Sequence, residues 1–164
     1  MLATERPPLP PWHPAAIIAT WFGSGLLPWA PGSWGSLTAL PPAWLIAHFL
    51  GPRVLVAAAV IVFFLGWWAA ERVQQASGVA DEGSIVIDEV AGQWLTLAVA
   101  PADPLAYAAG FLLFRLFDIT KPWPARWADR RIPGGLGVMA DDVIAGIYAA
   151  IALVVILAVT GAGS

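Results

Sequence analysis

Residues 54–73 read VLVAAAVIVFFLGWWAAERV: seventeen uncharged residues closing on Trp67-Trp68, then Glu71 and Arg72. About 20 mostly apolar residues carry a helix across a bilayer, and tryptophans followed by charge are a usual interfacial ending. Working outward, the rest of the chain has the same character. Residues 7–52 contain no Asp, Glu, Lys or Arg, and residues 143–164 are likewise uncharged. Apolar residues make up 59% of the 164 and charged residues 12%, about half the charged share of a soluble domain. A soluble core of this size cannot bury so much apolar surface, so the expected fold is an all-α integral membrane protein.

About five spans are expected. They are Ser36–Leu50, short and carrying Pro41-Pro42, then Val54–Val73, Ser84–Ala100, Leu105–Ile119 and Val138–Val159. Gly51–Arg53 and Pro101–Pro104 make tight turns, while Gln74–Gly83 and Lys121–Gly137 form polar loops. Upstream, Ala15–Leu27 is too short to cross and reads as an interfacial or re-entrant helix. Residues 1–14 read as a flexible Pro-rich terminus, leaving 15–164 as one helical membrane domain. That terminus lacks a basic n-region, and Gly23-Ser24-Gly25 breaks the apolar stretch after it, so no cleaved signal peptide is expected. Five of the eight basic residues lie in or beside Lys121–Gly137. The positive-inside rule therefore puts that loop in the cytoplasm, and alternation of the spans puts Gln74–Gly83 there too.

Several function classes drop out. No basic surface run suggests nucleic acid, and nothing points to a protein partner. With no cysteine there is no disulfide, zinc–thiolate site or thiol nucleophile. The Walker and serine-elbow patterns are absent. His13 and His48 have no companion at ligand spacing and read as structural or interfacial.

Five carboxylates remain in otherwise apolar sequence: Asp88 and Glu89 in SIVIDEVAGQW, Asp118 in FRLFDITKPWP, and Asp141 and Asp142 in GGLGVMADDVIAG. A carboxylate at bilayer depth costs at least a few kcal/mol unless paired, hydrated or bound to metal. The expected topology brings all five to the cytoplasmic interface, where an oxygen-rich cluster suits a hard cation such as Mg²⁺. Asp88 and Gly92 share a helix face at i, i+4, and the glycine leaves room for a ligand or a neighbouring helix. The blander readings are an acid near a helix N-terminus and an Arg115–Asp118 pair at i, i+3. Lys121, with Arg115 or Arg126, could bind phosphate oxygens that a metal leaves free. Trp123 and Trp127 read as interfacial anchors, and Arg126, Arg130 and Arg131 could also hold lipid headgroups. The Gly134–Gly137 turn could offer backbone N–H groups to an anion at a helix start. Ser33 and Ser36, in PGSWGS, could cap a helix or contact phosphate.

Taken in order, GSGLLPWAPGSWGSLTALP, GSIVIDEVAGQWLTL, FRLFDITKPWPARWADR and GGLGVMADDVIAG resemble the phosphatidylglycerophosphatase A family over roughly Phe22–Gly146. Ser33 stands where that family leads one to expect Thr. The resemblance implies a bacterial inner-membrane, multi-pass lipid phosphatase facing the cytoplasm. Its expected reaction is Mg²⁺-dependent hydrolysis of phosphatidylglycerophosphate, an anionic phospholipid, to phosphatidylglycerol and phosphate. Asp88, Glu89, Asp118, Asp141 and Asp142 would hold one or two metal ions and carry catalysis. The nucleophile would be either activated water or a carboxylate. The rival reading from another class is a cation- or proton-coupled transporter using the same acids. Midplane sites and internal repeats would favour it, and neither is visible. A non-catalytic subunit binding anionic lipid would explain the basic loop but not the acids.

Overall fold

A computed structural model describes residues 9–80 and 82–161. Among them the chain forms eight α-helices and no strand. They are α1 Pro14–Ala19, α2 Pro31–Thr38, α3 Leu40–Phe49, α4 Pro52–Ser77, α5 Ile87–Leu97, α6 Pro104–Thr120, α7 Ala125–Arg131 and α8 Gly134–Thr160, with a 3₁₀ turn at Ser24–Leu26.

Two described helices, α4 with 26 residues and α8 with 27, are long and apolar enough to cross a membrane. At 1.5 Å per residue each reaches roughly 40 Å. Their apolar side chains are mostly not buried: Val60, Ile61, Phe64 and Leu65 on α4, and Ile147, Ile151, Val154 and Val155 on α8, face outward. A soluble protein would hide such rows, so these helices meet lipid and the chain is a membrane protein.

The other expected spans take a different form. Ser36–Leu50 divides into α2 and α3, because Pro41 and Pro42 have no N–H to continue the hydrogen-bond ladder. Ser84–Ala100 contracts to α5, eleven residues buried on nearly every side. It is the centre of the bundle, packed against α8, α4, α6 and α2. The fourth span, α6, has 17 residues, the short limit for crossing. The expected loop Lys121–Gly137 holds α7, and α8 starts at Gly134 rather than Val138. The upstream apolar segment forms the six-residue α1, which buries Ala15, Ala16 and Ala19 and packs on α4. Of the expected flexible terminus, residues 1–8 lie outside the described residues. Residues 10–13 form a turn closed by His13 N–H to Pro10 O at 2.8 Å, and Leu9 packs on the core.

One crossing governs the site. A Cβ on Gly146 would lie 2.5 Å from the Gly92 carbonyl oxygen, and a Cβ on Gly92 would lie 2.5 Å from that of Asp142. Backbones therefore touch where α5 passes α8. The Thr96 hydroxyl lies 3.0 Å from Gly92 O and 3.2 Å from Gly146 O, stitching the pair. Asp88 precedes Gly92 by four residues and Asp142 precedes Gly146 by four. Each helix thus carries a carboxylate one turn N-terminal to the crossing glycine.

Candidate active site

Acids from three helices meet at one end of the bundle. Asp88 and Glu89 open α5, Asp118 lies in the last turn of α6, and Asp141 and Asp142 stand two turns into α8. The loops after α4 and after α6 lie at this same end, since Glu71 near the end of α4 accepts the Gly135 N–H of α8 at 2.8 Å. The expected relative placement of the two loops therefore holds. Asp118, Asp141 and Asp142 are buried, and Asp88 and Glu89 half-buried.

The five acids divide into two sets. Asp88, Glu89 and Asp142 each present an oxygen within 4.8 Å of the other two. Asp88 Oδ1, Glu89 Oε2 and Asp142 Oδ2 are buried and have no hydrogen-bond partner among the described residues. Such oxygens are costly unless something positive meets them. Three clustered carboxylates with orphaned oxygens form the donor set a hard divalent cation takes. Asp118 and Asp141, by contrast, are each held by a cation. Arg115 pairs with Asp118 and lies 3.8 Å from Glu89. The Lys121 ammonium is 2.5 Å from Asp141 and 2.8 Å from Asp129. Burial pushes the Lys121 pKa down, but hydrogen bonds to Asp129 and Asp141 outweigh it and leave the group above its ordinary value. The ammonium therefore stays charged at neutral pH.

The PGSWGS segment supplies another wall. A Cβ on Gly32 would collide with the Glu89 carboxylate and approach Arg115 Nη1 to 3.2 Å, so this glycine lets α2 lie directly on the site. Ser36, fully buried, donates to Gly32 O at 2.9 Å and accepts from Arg115 at 3.4 Å. Ser33 is half-buried beside Gly32. Arg126 is not brought to the acids; it is exposed and donates to Thr120 O at 3.3 Å. The helix start at Gly134–Gly137 is not open to an outside anion at Gly135, because the Glu71 carboxylate already takes that N–H. His13 caps α1 through Nδ1, and His48 stacks on Trp44 at 4.7 Å, both structural roles.

Four residues of this end have roles that the sequence did not show. Asp129 shares Lys121, Glu71 caps α8, and Gly146 sets the helix crossing. Gln93, one turn beyond Glu89, is fully buried with both amide atoms unpartnered among the described residues. The repeated spacing Asp88-x-x-x-Gly92 and Asp142-x-x-x-Gly146 was the available signal for Gly146. The other three carry no local signature.

An all-helical membrane protein with clustered buried carboxylates, flanked by a lysine and an arginine, belongs to the class that handles anionic groups at a membrane. The comparisons narrow this. The family model described as phosphatidylglycerophosphatase A matches residues 17–157, and the chain belongs to that family. A phosphatidylglycerophosphatase A of Escherichia coli K12 is 42% identical over 141 residues, covering 85% of this chain and 80% of the relative. One of Haemophilus influenzae is 40% identical over 140 residues, covering 85% and 86%. A Bacteroides thetaiotaomicron protein named as a putative phosphatidylinositol-3-phosphatase is 41% identical over 147 residues, covering 85% and 91%. No solved structure matches the chain.

Proposed function

We propose that the protein removes the terminal phosphate of phosphatidylglycerophosphate, yielding phosphatidylglycerol and inorganic phosphate in glycerophospholipid biosynthesis. It is a phosphoric monoester hydrolase, in keeping with its family and relatives. The observation that carries the chemistry is the trio of orphaned carboxylates beside two cations. The cation-coupled transporter finds no support in the family or the relatives.

Asp88, Glu89 and Asp142 would hold Mg²⁺ directly, with Asp118 and Asp141 completing its surroundings through water. When bound, the ion polarises phosphate oxygens and offsets charge on the transferring group. Arg115, beside Glu89 and Asp118, and Lys121, beside Asp141, would orient the phosphate, with Ser33 and Ser36 on α2. Water attacks phosphorus as the bond to the glycerol oxygen breaks. An unpartnered carboxylate oxygen such as Asp141 Oδ1 takes the water's proton, which leaves with the glycerol hydroxyl. Water fits better than a carboxylate nucleophile because no acid here stands in a dedicated nucleophile motif.

The chain would be multi-pass in the bacterial inner membrane, with α4 and α8 as full spans, α6 as a short one, and α2–α3 and α5 completing about five segments. The basic residues around α7 support an acid end that faces the cytoplasm. Purified protein in detergent should release phosphate from phosphatidylglycerophosphate with Mg²⁺ and not with EDTA. Asp118→Asn and Asp141→Asn should abolish turnover in a folded protein. Wild-type rates in both variants would refute the acidic site, and cation flux in liposomes without phosphate release would revive the transporter.

A further inference from the structure

Beside the acids lies a positively charged cleft that the hydrolytic site does not use. It has a volume of about 460 Å³, and its lining includes Lys121, Trp123, Arg126, Trp127, Arg130 and Arg131. Apart from Lys121, its cations differ from those of the site. Arg115 and Lys121 each lie near two carboxylates, whereas Arg126, Arg130 and Arg131 form no ion pair among the described residues. Three guanidiniums therefore face one cleft without a countercharge. The walls are fixed. Ala125 and Ala128 are buried where α7 packs on α8. The Tyr148 hydroxyl of α8 donates to Trp123 O at 2.8 Å, and Arg126 is tethered to Thr120 O. Lys121 belongs to both regions, lining the cleft while bonded to Asp141.

Guanidinium forks match phosphate oxygens in pairs, and exposed tryptophans sit comfortably at a lipid–water boundary. Given the proposed substrate, on which this rests, one of its two phosphates has no assigned site: the phosphodiester that joins the headgroup to the acylated glycerol and survives the reaction. We infer that Arg126, Arg130 and the tryptophan walls form the subsite for this phosphodiester, with the terminal monoester reaching past Lys121 to the carboxylates. The cleft thereby selects lipids bearing a phosphodiester inside the headgroup and a monoester beyond it. Phosphatidic acid, whose only phosphate is the monoester, leaves the arginines unmatched. Anionic phospholipids with an alcohol headgroup, such as phosphatidylglycerol, carry the same diester, so the test must separate substrate recognition from attachment to bulk lipid.

The experiment compares wild type, Arg130→Gln, Arg126→Gln/Arg130→Gln and Arg130→Lys in detergent micelles. Phosphate release is measured from phosphatidylglycerophosphate and from phosphatidic acid, and binding from short-chain phosphatidylglycerol, which has the diester alone. The double variant should raise KM for phosphatidylglycerophosphate tenfold or more with kcat largely kept. The preference over phosphatidic acid should fall by a similar factor, and phosphatidylglycerol binding should weaken. Arg130→Lys should recover part of each effect. Equal losses on both substrates would make the arginines a membrane attachment and overturn the inference, as would an unchanged preference. If wild type released no phosphate but bound phosphatidylglycerol through these arginines, the hydrolase reading would fall and the diester site would stand.

Discussion

Asp88, Glu89 and Asp142 form one acidic region of this molecule, and Asp118 and Asp141 form another a few ångströms away. In the first, each acid keeps a buried carboxylate oxygen with no hydrogen-bond partner among the described residues. In the second, each carboxylate is matched by a cation from α6 or its C-terminus. Glu89 leans toward the second set through Arg115 at 3.8 Å, and Asp141 keeps one orphaned oxygen, so the regions share a border. The contrast teaches that five acids of one chemical type divide the work. Under the proposed function the unmatched set would take a cation from solution, while the matched set would hold the chain's own cations where a phosphate arrives.

The largest expected effect breaks the unmatched set. Asp142→Asn should cut phosphate release by on the order of 10³-fold and raise the Mg²⁺ needed for half-maximal rate, as a metal titration of activity would reveal. Next comes the crossing that assembles that set. Gly146→Ala places a methyl against the Gly92 backbone, so thermal melting in detergent should show a loss of about 1–3 kcal/mol, the range for overpacking, together with lost activity. Retention of both would mean that the helices can part without harm. The matched set should respond differently. Lys121→Ala should lower kcat/KM by roughly 10²-fold while leaving the Mg²⁺ requirement near that of wild type; a shifted metal requirement would merge the two sets. Smallest is Glu71→Gln. It weakens the cap on α8 at Gly135 and should lower stability by about 0.5–2 kcal/mol with little change in KM.

Much of this was legible before folding. The run 54–73 announced a long apolar helix, and α4 covers it. The three acidic motifs named all five carboxylates, and the order of spans put them at one end. Pairing was legible only in part. Arg115–Asp118 follows from i, i+3 spacing on one helix. Lys121 reaching Asp129 and Asp141 depends on how α7 folds back on α8, across eight and twenty residues of chain. At the Gly134–Gly137 turn the Gly135 N–H is taken by the chain's own Glu71, 64 residues away, for a related reason. The helix α5 shows the limit of hydropathy itself. Its apolar residues read as lipid-facing, yet they face other helices, because a buried core and a bilayer demand the same side chains.

The sequence alone determined that this chain is helical, lives in a membrane and carries its acids in three places. Composition and local spacing decide those things, since they depend on transfer to an apolar medium and on the helical repeat. Only the tertiary structure decided which acids find a cation and which remain unmatched. That depends on backbones meeting at Gly92 and Gly146 and on α7 turning Lys121 toward α8. Such contacts arise between distant segments, where Coulomb attraction and close packing act over a few ångströms and leave no periodic trace along the chain.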